Sequence, residues 1–186
     1  GSRLGVDTMR VDLCGSNLIG LYSAANSSHI IVPHIAYASE KKALKGAGLE
    51  VCEIETKNTA IGNIICCNDK GAIVSGALEP ENTKKVADFL GIEVAVVSIA
   101  DYKVVGSACV ATNKGMVIHN NAGDDEISAA ERIFGVSGIN STVNFGFPFP
   151  AYGIIANSNG YVVGDKCTGI EIMRIDQGLG FSRRMV

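Results

Sequence analysis

The sequence predicts an α/β repeat fold. Two periodic markers that keep phase with each other predict it, together with the order of elements between them. The first marker is a strand–turn–strand signature, clearest in residues 58–74, NTAIGNIICCNDKGAIV. Ile61 opens an apolar run through Ile64 and Ile65 to Cys67, Asn68-Asp69-Lys70-Gly71 turns the chain, and Ala72-Ile73-Val74 resumes the strand. Asn and Asp tolerate unusual backbone angles and Gly takes positive φ freely, as such a turn requires. The signature recurs from Gly20 through Asn26-Ser27-Ser28-His29 to Val32, from Gly106 through Thr112-Asn113-Lys114-Gly115 to Ile118, and from Ala151 through Asn157-Ser158-Asn159-Gly160 to Val163. The last turn position falls at 29, 71, 115 and 160, so the spacings are 42, 44 and 45 residues. The second marker is a helix-ending glycine, at Leu4-Gly5-Val6, Ala47-Gly48-Leu49, Leu90-Gly91-Ile92 and Phe134-Gly135-Val136. Each lies 14 to 16 residues ahead of a hairpin start (5 to 20, 48 to 62, 91 to 106, 135 to 151). A period in this range means stacked or ring-arranged units.

One repeat domain over 3–180 results, with units at about 5–47, 48–90, 91–134 and 135–180. In the first, Val6 to Cys14 reads as a strand and Gly15-Ser16-Asn17 as a turn. Ile19 to Ala25 and Ile30 to Val32 read as the hairpin, and Ser39 to Gly46 as a short helix exposing Lys41, Lys42 and Lys45. The second has a strand from Leu49 to Glu55, its hairpin, and a helix from Glu81 to Leu90. Glu79-Pro80-Glu81 places acid and proline where a helix amino terminus prefers them. Val86, Phe89 and Leu90 make its inner face. The third has a strand from Ile92 to Ser98 and a helix from Asp124 to Phe134, with Ile127, Ala130 and Phe134 on the core side. The fourth has a strand from Val136 to Val143 and a helix from Thr168 to Asp176. Asn144-Phe145-Gly146-Phe147-Pro148-Phe149-Pro150 interrupts it as an ordered, partly exposed loop expected to pack on the neighbouring unit. Residues 181–186, with Arg183 and Arg184, read as a short basic tail.

With 186 residues, 47% hydrophobic and 19% charged, the chain is globular rather than disordered. A net charge of −3 and a pI of 5.6 exclude general adhesion to nucleic acid and leave room for local contact with a basic partner. No apolar run approaches the ~20 residues of a membrane span. No signal peptide is read at the start, and Gly1-Ser2-Arg3 reads as a cloning scar. The six cysteines, Cys14, Cys52, Cys66, Cys67, Cys109 and Cys167, include no Cys-x-x-Cys pair. Four stand in apolar strand patterns, as buried free thiols of a reducing cytoplasm do. Three histidines, His29, His34 and His119, show no ligand spacing, so no structural zinc site is expected.

The segments that carry the repeat also resemble a known family. They are Gly15-Ser16-Asn17-Leu18-Ile19-Gly20; Asn58-Thr59-Ala60-Ile61-Gly62-Asn63 with Asn68-Asp69-Lys70-Gly71; Val105-Gly106-Ser107 with Thr112-Asn113-Lys114-Gly115; and Ile155-Ala156-Asn157-Ser158-Asn159-Gly160 with Gly164-Asp165 and Thr168-Gly169-x-Glu171. In that order, over about residues 14–180, they resemble the translation initiation factor 6 family, the archaeal version most. The resemblance implies a pentein-like β/α propeller, a ring of strand-rich units with outer helices. Four of its five units are present here and the first is absent. It implies a cytoplasmic factor that binds the large ribosomal subunit, prevents joining with the small subunit by occupying space, and takes part in large-subunit maturation. No catalysis, cofactor, metal, small-molecule substrate or membrane is implied. Four units shaped for a fivefold ring leave two open sheet edges and an apolar flank, which invite a homo-oligomer; the alternative is a ring closed tighter with four units.

In the family the binding face is built from turns at one end of the ring. Carried over, the ribosome-binding positions are Asn17, Leu21, Asn58, Asn63, Lys103 and Ser107. Short polar side chains at strand ends offer donors and acceptors at small ordering cost; the alternative is that they only close turns. Asp124, Asp125 and Glu126 are a second candidate, either for basic ribosomal-protein tails or as a solvated helix start. Penteins also include guanidine-modifying enzymes, with a late Cys nucleophile, a His one unit earlier and carboxylates on the substrate. Cys167 and His119 occupy those places, but Asn120 and Asn121 follow the histidine where a carboxylate is needed. The structural reading of both is preferred. A truncated or designed repeat ring without native activity is the third reading.

Overall fold

The computed structural model describes residues 2–182. Its motif is a helical turn, a hairpin, a crossover helix and a parallel strand. α1 (Ile19–Tyr22) leads into β1 (Ala24–Ala25), which pairs antiparallel with β2 (His29–Pro33). α2 (Ala38–Gly46) crosses over, and β3 (Glu50–Ile54) returns parallel to β2. The order repeats as α3 (Ile61–Ile64), β4 (Ile65–Cys67), β5 (Gly71–Ser75), α4 (Pro80–Leu90) and β6 (Glu93–Val97). It repeats again as α5 (Val105–Ala108), β7 (Cys109–Ala111), β8 (Met116–His119), α6 (Asp124–Phe134) and β9 (Gly138–Ser141). The last copy has a 3-10 turn at Pro150–Tyr152, then β10 (Ile154–Ala156), β11 (Tyr161–Val163) and α7 (Gly169–Gly178). Among the described residues the result is a mixed α/β fold of three three-stranded sheets and one two-stranded sheet. Each three-stranded sheet spans two sequence units, because the strand that opens a unit pairs with the preceding hairpin.

Three expectations need correction. Val6 to Cys14 is not a strand; only Leu13 bridges, to Ser16. Its counterparts β3, β6 and β9 each lie against a hairpin that precedes them, and none precedes this segment among the described residues. The hairpins do not begin as strand at the glycine either. Ile19–Tyr22, Ile61–Ile64 and Val105–Ala108 each coil into one helical turn first. Finally, Phe181 belongs to the fold and not to a tail: its ring lies 5.5 Å from that of Tyr161, beneath the Lys114 ammonium at 5.4 Å. The rest of the expected tail, 183–186, lies outside the described residues.

The middle of each central strand, residues 30–32, 72–74 and 116–118, is apolar because both its faces are buried. Ile30 and Val32 enter a core with Leu13 and Leu44, while Ile31 enters the next with Ile54, Ile61 and Val86. Ala72 and Val74 share that second core; Ile73 joins a third with Met116, Ile118 and Phe134. Val117 passes into a fourth with Val143, Ile154 and Ile175. The period-2 alternation of side chains thus welds each sheet to its successor. On β11, Tyr161 and Val163 continue the fourth core, but Val162 is 46% exposed and its cross-strand partner Ile155 68%.

Two series of contacts set the units side by side. On the inside the helical turns stack so closely that a methyl group on Gly62 would overlap the Gly20 carbonyl, and one on Gly106 the Gly62 carbonyl. On the outside the first three hairpin turns rest on the end of the following unit's helix, and the fourth rests on Leu4. The His29 ring meets Phe89 at 5.0 Å, and Asn68 Nδ2 donates to the Phe134 carbonyl at 2.9 Å. Asn157 Nδ2 donates to the Leu4 carbonyl, also at 2.9 Å. Gly46 and Gly48, at the end of α2, face open space.

Candidate binding face

The residues that follow the stacked glycines line one cleft. Leu21, Asn63 and Ser107 hold this position, and Tyr152 holds it after Ala151. Ser107 Oγ donates to Asn63 Oδ1 at 2.9 Å, and the Tyr152 hydroxyl lies 3.5 Å from both. These residues line a cleft of about 710 Å³ together with Asn17 and Leu18, and the exposed Ile155–Val162 pair forms its apolar wall.

The structure therefore brings Asn17, Leu21, Asn63 and Ser107 together. Ser107 is 2% exposed, so its hydroxyl holds Asn63 in place while Asn63 faces the cleft. Asn58 lies apart: its Nδ2 donates to the Ala77 carbonyl at 2.8 Å and its N–H to Thr56 Oγ1 at 3.1 Å, closing the turn before α3. Lys103 is exposed beside the left-handed turn at Ala100–Asp101, outside the cleft lining. Sequence reasoning missed Tyr152, although the register that places 151 after 20, 62 and 106 already puts residue 152 beside Leu21, Asn63 and Ser107.

Three turns with positive φ are each clamped by a carboxylate. Glu40 accepts the N–H groups of Cys14 and Gly15, both at 2.9 Å, and Glu126 accepts that of Ala100 at 2.9 Å. Glu171 accepts those of Phe145 at 3.2 Å and Gly146 at 2.9 Å. Each glutamate is the third residue of its helix and also accepts an N–H at the helix start, from Tyr37, Gly123 and Thr168 respectively. In the second unit Asn82 stands at this place and donates to the Glu55 carbonyl instead, at 2.7 Å. Burial pushes the Glu171 carboxyl up, but N–H bonds from Thr168 and Gly146 and hydroxyl bonds from Thr142 and Thr168 outweigh it and hold it at about 2. Glu40 is likewise held below its usual range by the amides of Gly15, Tyr37 and Cys14, against the opposing effect of burial.

The phenylalanine loop packs on the neighbouring unit through one ring and leaves others exposed. Phe149 packs on His119 at 4.9 Å and Tyr102 at 5.1 Å, in the neighbouring unit. Phe147 contacts Phe149 and Tyr152, at 5.9 and 5.8 Å. Tyr102, Phe145, Phe147 and Tyr152 all remain exposed, giving this face an aromatic rim that reaches the cleft through Tyr152.

The other candidates are structural in their contacts. His119 is buried among the Tyr102 and Phe149 rings, its Nδ1 accepting the Asn121 N–H at 3.2 Å, and burial pushes its pKa down against the opposing charge of Glu126. Cys167 Sγ accepts the Asn144 N–H at 3.2 Å and packs in the fourth core. No hydrogen bond joins the two among the described residues, so no nucleophile–base pair is formed. All six cysteines are free; Cys52, Cys66, Cys67 and Cys109 are buried. Of the acidic cluster, Asp124 and Asp125 are exposed, whereas Glu126 turns inward to its clamp. Among the described residues no group of His, Cys, Asp and Glu is arranged to hold a metal, and no helix is long and apolar enough to cross a membrane.

Comparison with known proteins adds an independent line. The eIF-6 family matches residues 1–178. A protein of Pyrococcus abyssi named Translation initiation factor 6 is 39% identical over 183 residues, covering 95% of this chain and 81% of its own length. Proteins of the same name from Pyrobaculum aerophilum and Thermoplasma acidophilum are each 38% identical over 177 residues. These alignments cover 95% of this chain and 80% and 81% of the relatives.

Proposed function

The chain belongs to the eIF-6 family, and on that premise we propose that it binds the large ribosomal subunit through the cleft face and keeps the small subunit from joining. The observation that carries this reading is convergence. Asn17, Leu21, Asn63 and Ser107 meet at one cleft, beside an aromatic rim exposed to solvent. Clamped turns hold this face in one shape, so little ordering is paid on binding. The factor acts by occupying space in the cytoplasm; its residues position a partner and break no bond. The same reading makes the four sequence units part of a pentein ring, four of five, and gives the factor a role in large-subunit maturation.

Co-sedimentation with archaeal large ribosomal subunits tests this. Asn63→Arg should weaken binding about tenfold or more, since it puts a long charge where a short amide faces the partner. The midpoint of melting should fall by no more than ~4 °C, because only the hydroxyl bonds from Ser107 and, at 3.5 Å, Tyr152 are lost. Undiminished co-sedimentation of this variant would remove the cleft from the interface. The open Ile155–Val162 flank supports one further part of the reading, that the chain self-associates. Light scattering should then show dimers or larger species that Ile155→Lys returns to monomer; a strict monomer at high concentration sinks it.

A further inference from the structure

The turn at 143–147 is the third of the carboxylate-clamped turns, and it differs from the others at its tip. Where Cys14-Gly15 and Ala100-Asp101 stand in the other two, this turn has Asn144-Phe145-Gly146, at φ of 49°, 64° and 96°. A bulky residue with positive φ is a genuine outlier, which Gly or Asn would occupy at less cost. Glu171, the Asn144–Cys167 bond and the Val143–Phe147 bridge hold the turn rigid. The Phe145 ring, 82% exposed, adds almost nothing to the packing. Strain kept at a site where the side chain does not support the fold points to use elsewhere.

We infer that Phe145 is an affinity anchor, a ring presented for burial in an apolar pocket on a protein component of the ribosomal partner; this rests on the ribosome-binding reading above. Residues 144–150 carry no charged side chain. The Glu171 carboxylate lies directly behind the turn and repels phosphate, and the exposed Asp165 and Lys166 beside it offset each other. A nucleic-acid backbone is therefore disfavoured and a protein pocket suits the ring. Aromatic anchors of this kind dominate interface energies when fully desolvated. The rim from Phe147 to Tyr152 continues from the turn to the cleft, so one partner can engage both.

The test titrates fluorescently labelled chain against purified archaeal large subunits and records thermal melts alongside. Phe145→Asn should melt no lower than the parent, because Asn suits the left-handed turn, and should bind about tenfold or more weakly. Phe145→Leu fills an apolar pocket and should stay within about threefold of the parent. If Phe145→Asn binds as the parent does while Asn63→Arg is impaired, the anchor is wrong and the ribosome-binding reading stands. If neither is impaired, or the parent does not bind, both fail. If Phe145→Leu is as poor as Phe145→Asn while Phe145→Trp binds fully, the ring stacks on an RNA base and the protein pocket is overturned.

Discussion

Gly62→Ala should lower the melting midpoint by roughly 10 °C or more, whereas Gly20→Ala should leave it unchanged or raise it slightly. Both glycines sit in the same motif, Ile-Gly, on the same helical turn of consecutive units. A methyl group on Gly62 would overlap the Gly20 carbonyl and crowd that of Ser23, whereas one on Gly20 meets nothing within 4 Å. The obstacle at Gly62 is backbone, so no side-chain rotation relieves it and the two turns must separate. Overpacking costs about 1–3 kcal/mol when side chains can yield, and more when they cannot. At ~2–4 °C per kcal/mol for a chain of this size, the loss is large. At Gly20 the intrinsic helical preference of Ala, worth up to ~1 kcal/mol, is unopposed. Gly106→Ala should follow Gly62→Ala, since it meets the Gly62 and Ile65 carbonyls. Thermal melts of the three variants decide it; equal shifts at Gly20 and Gly62 would mean that the turns are not stacked as described.

The contrast between these glycines also shows what could be read from the chain and what could not. The period located them, because strand–turn–strand signals are local: Asn68 to Gly71 and Asn157 to Gly160 turn the chain by their own chemistry. Helices α4 and α6 were readable for the same reason, with Pro80 opening one and left-handed Gly91 and Gly135 closing both. What surrounds a glycine is not local. The helical turns at 19–22, 61–64 and 105–108 are too short for periodicity to tell from strand, and the neighbouring turn's carbonyl is what fits them together. Val6 to Cys14 has the composition of a strand but no partner among the described residues, and a strand is defined by its partner. At the candidate face, Leu21, Asn63 and Ser107 came with the family pattern and share one register position, to which Tyr152 also belongs. Asn58 and Lys103 came with the family pattern, and their side chains lie away from the cleft. The glutamate clamps were half visible: a Glu three residues past a helix cap signals a capping box, but not that it also reaches back about 26 residues to a strained turn.

That second reach makes Glu171→Gln the other large effect. Two carboxylate oxygens accept five donors: the N–H groups of Phe145, Gly146 and Thr168, and the hydroxyls of Thr142 and Thr168. Glutamine replaces one oxygen with a donor that faces N–H groups unable to turn away. Hydrogen bonds to a charged group contribute ~1.5–3 kcal/mol, and a stranded buried donor costs ~1–3 kcal/mol, so the variant should lose roughly 3 kcal/mol at neutral pH. The pH dependence carries the sign that separates this from a general packing defect. The folded carboxyl titrates at about 2, below the usual 4.5. A depressed acid stabilises the fold fully above the unfolded value, and that contribution is lost as pH falls from about 4.5 toward about 2. The parent should therefore lose stability across that window while Glu171→Gln, with nothing there to protonate, loses less, and the two melting curves should converge near the bottom of it. Glu40 is depressed in the same direction, so its own loss appears in both proteins and cancels in the difference. A gap between parent and variant that stays constant from pH 7 to pH 2 would show that the carboxylate's charge does not hold the turn.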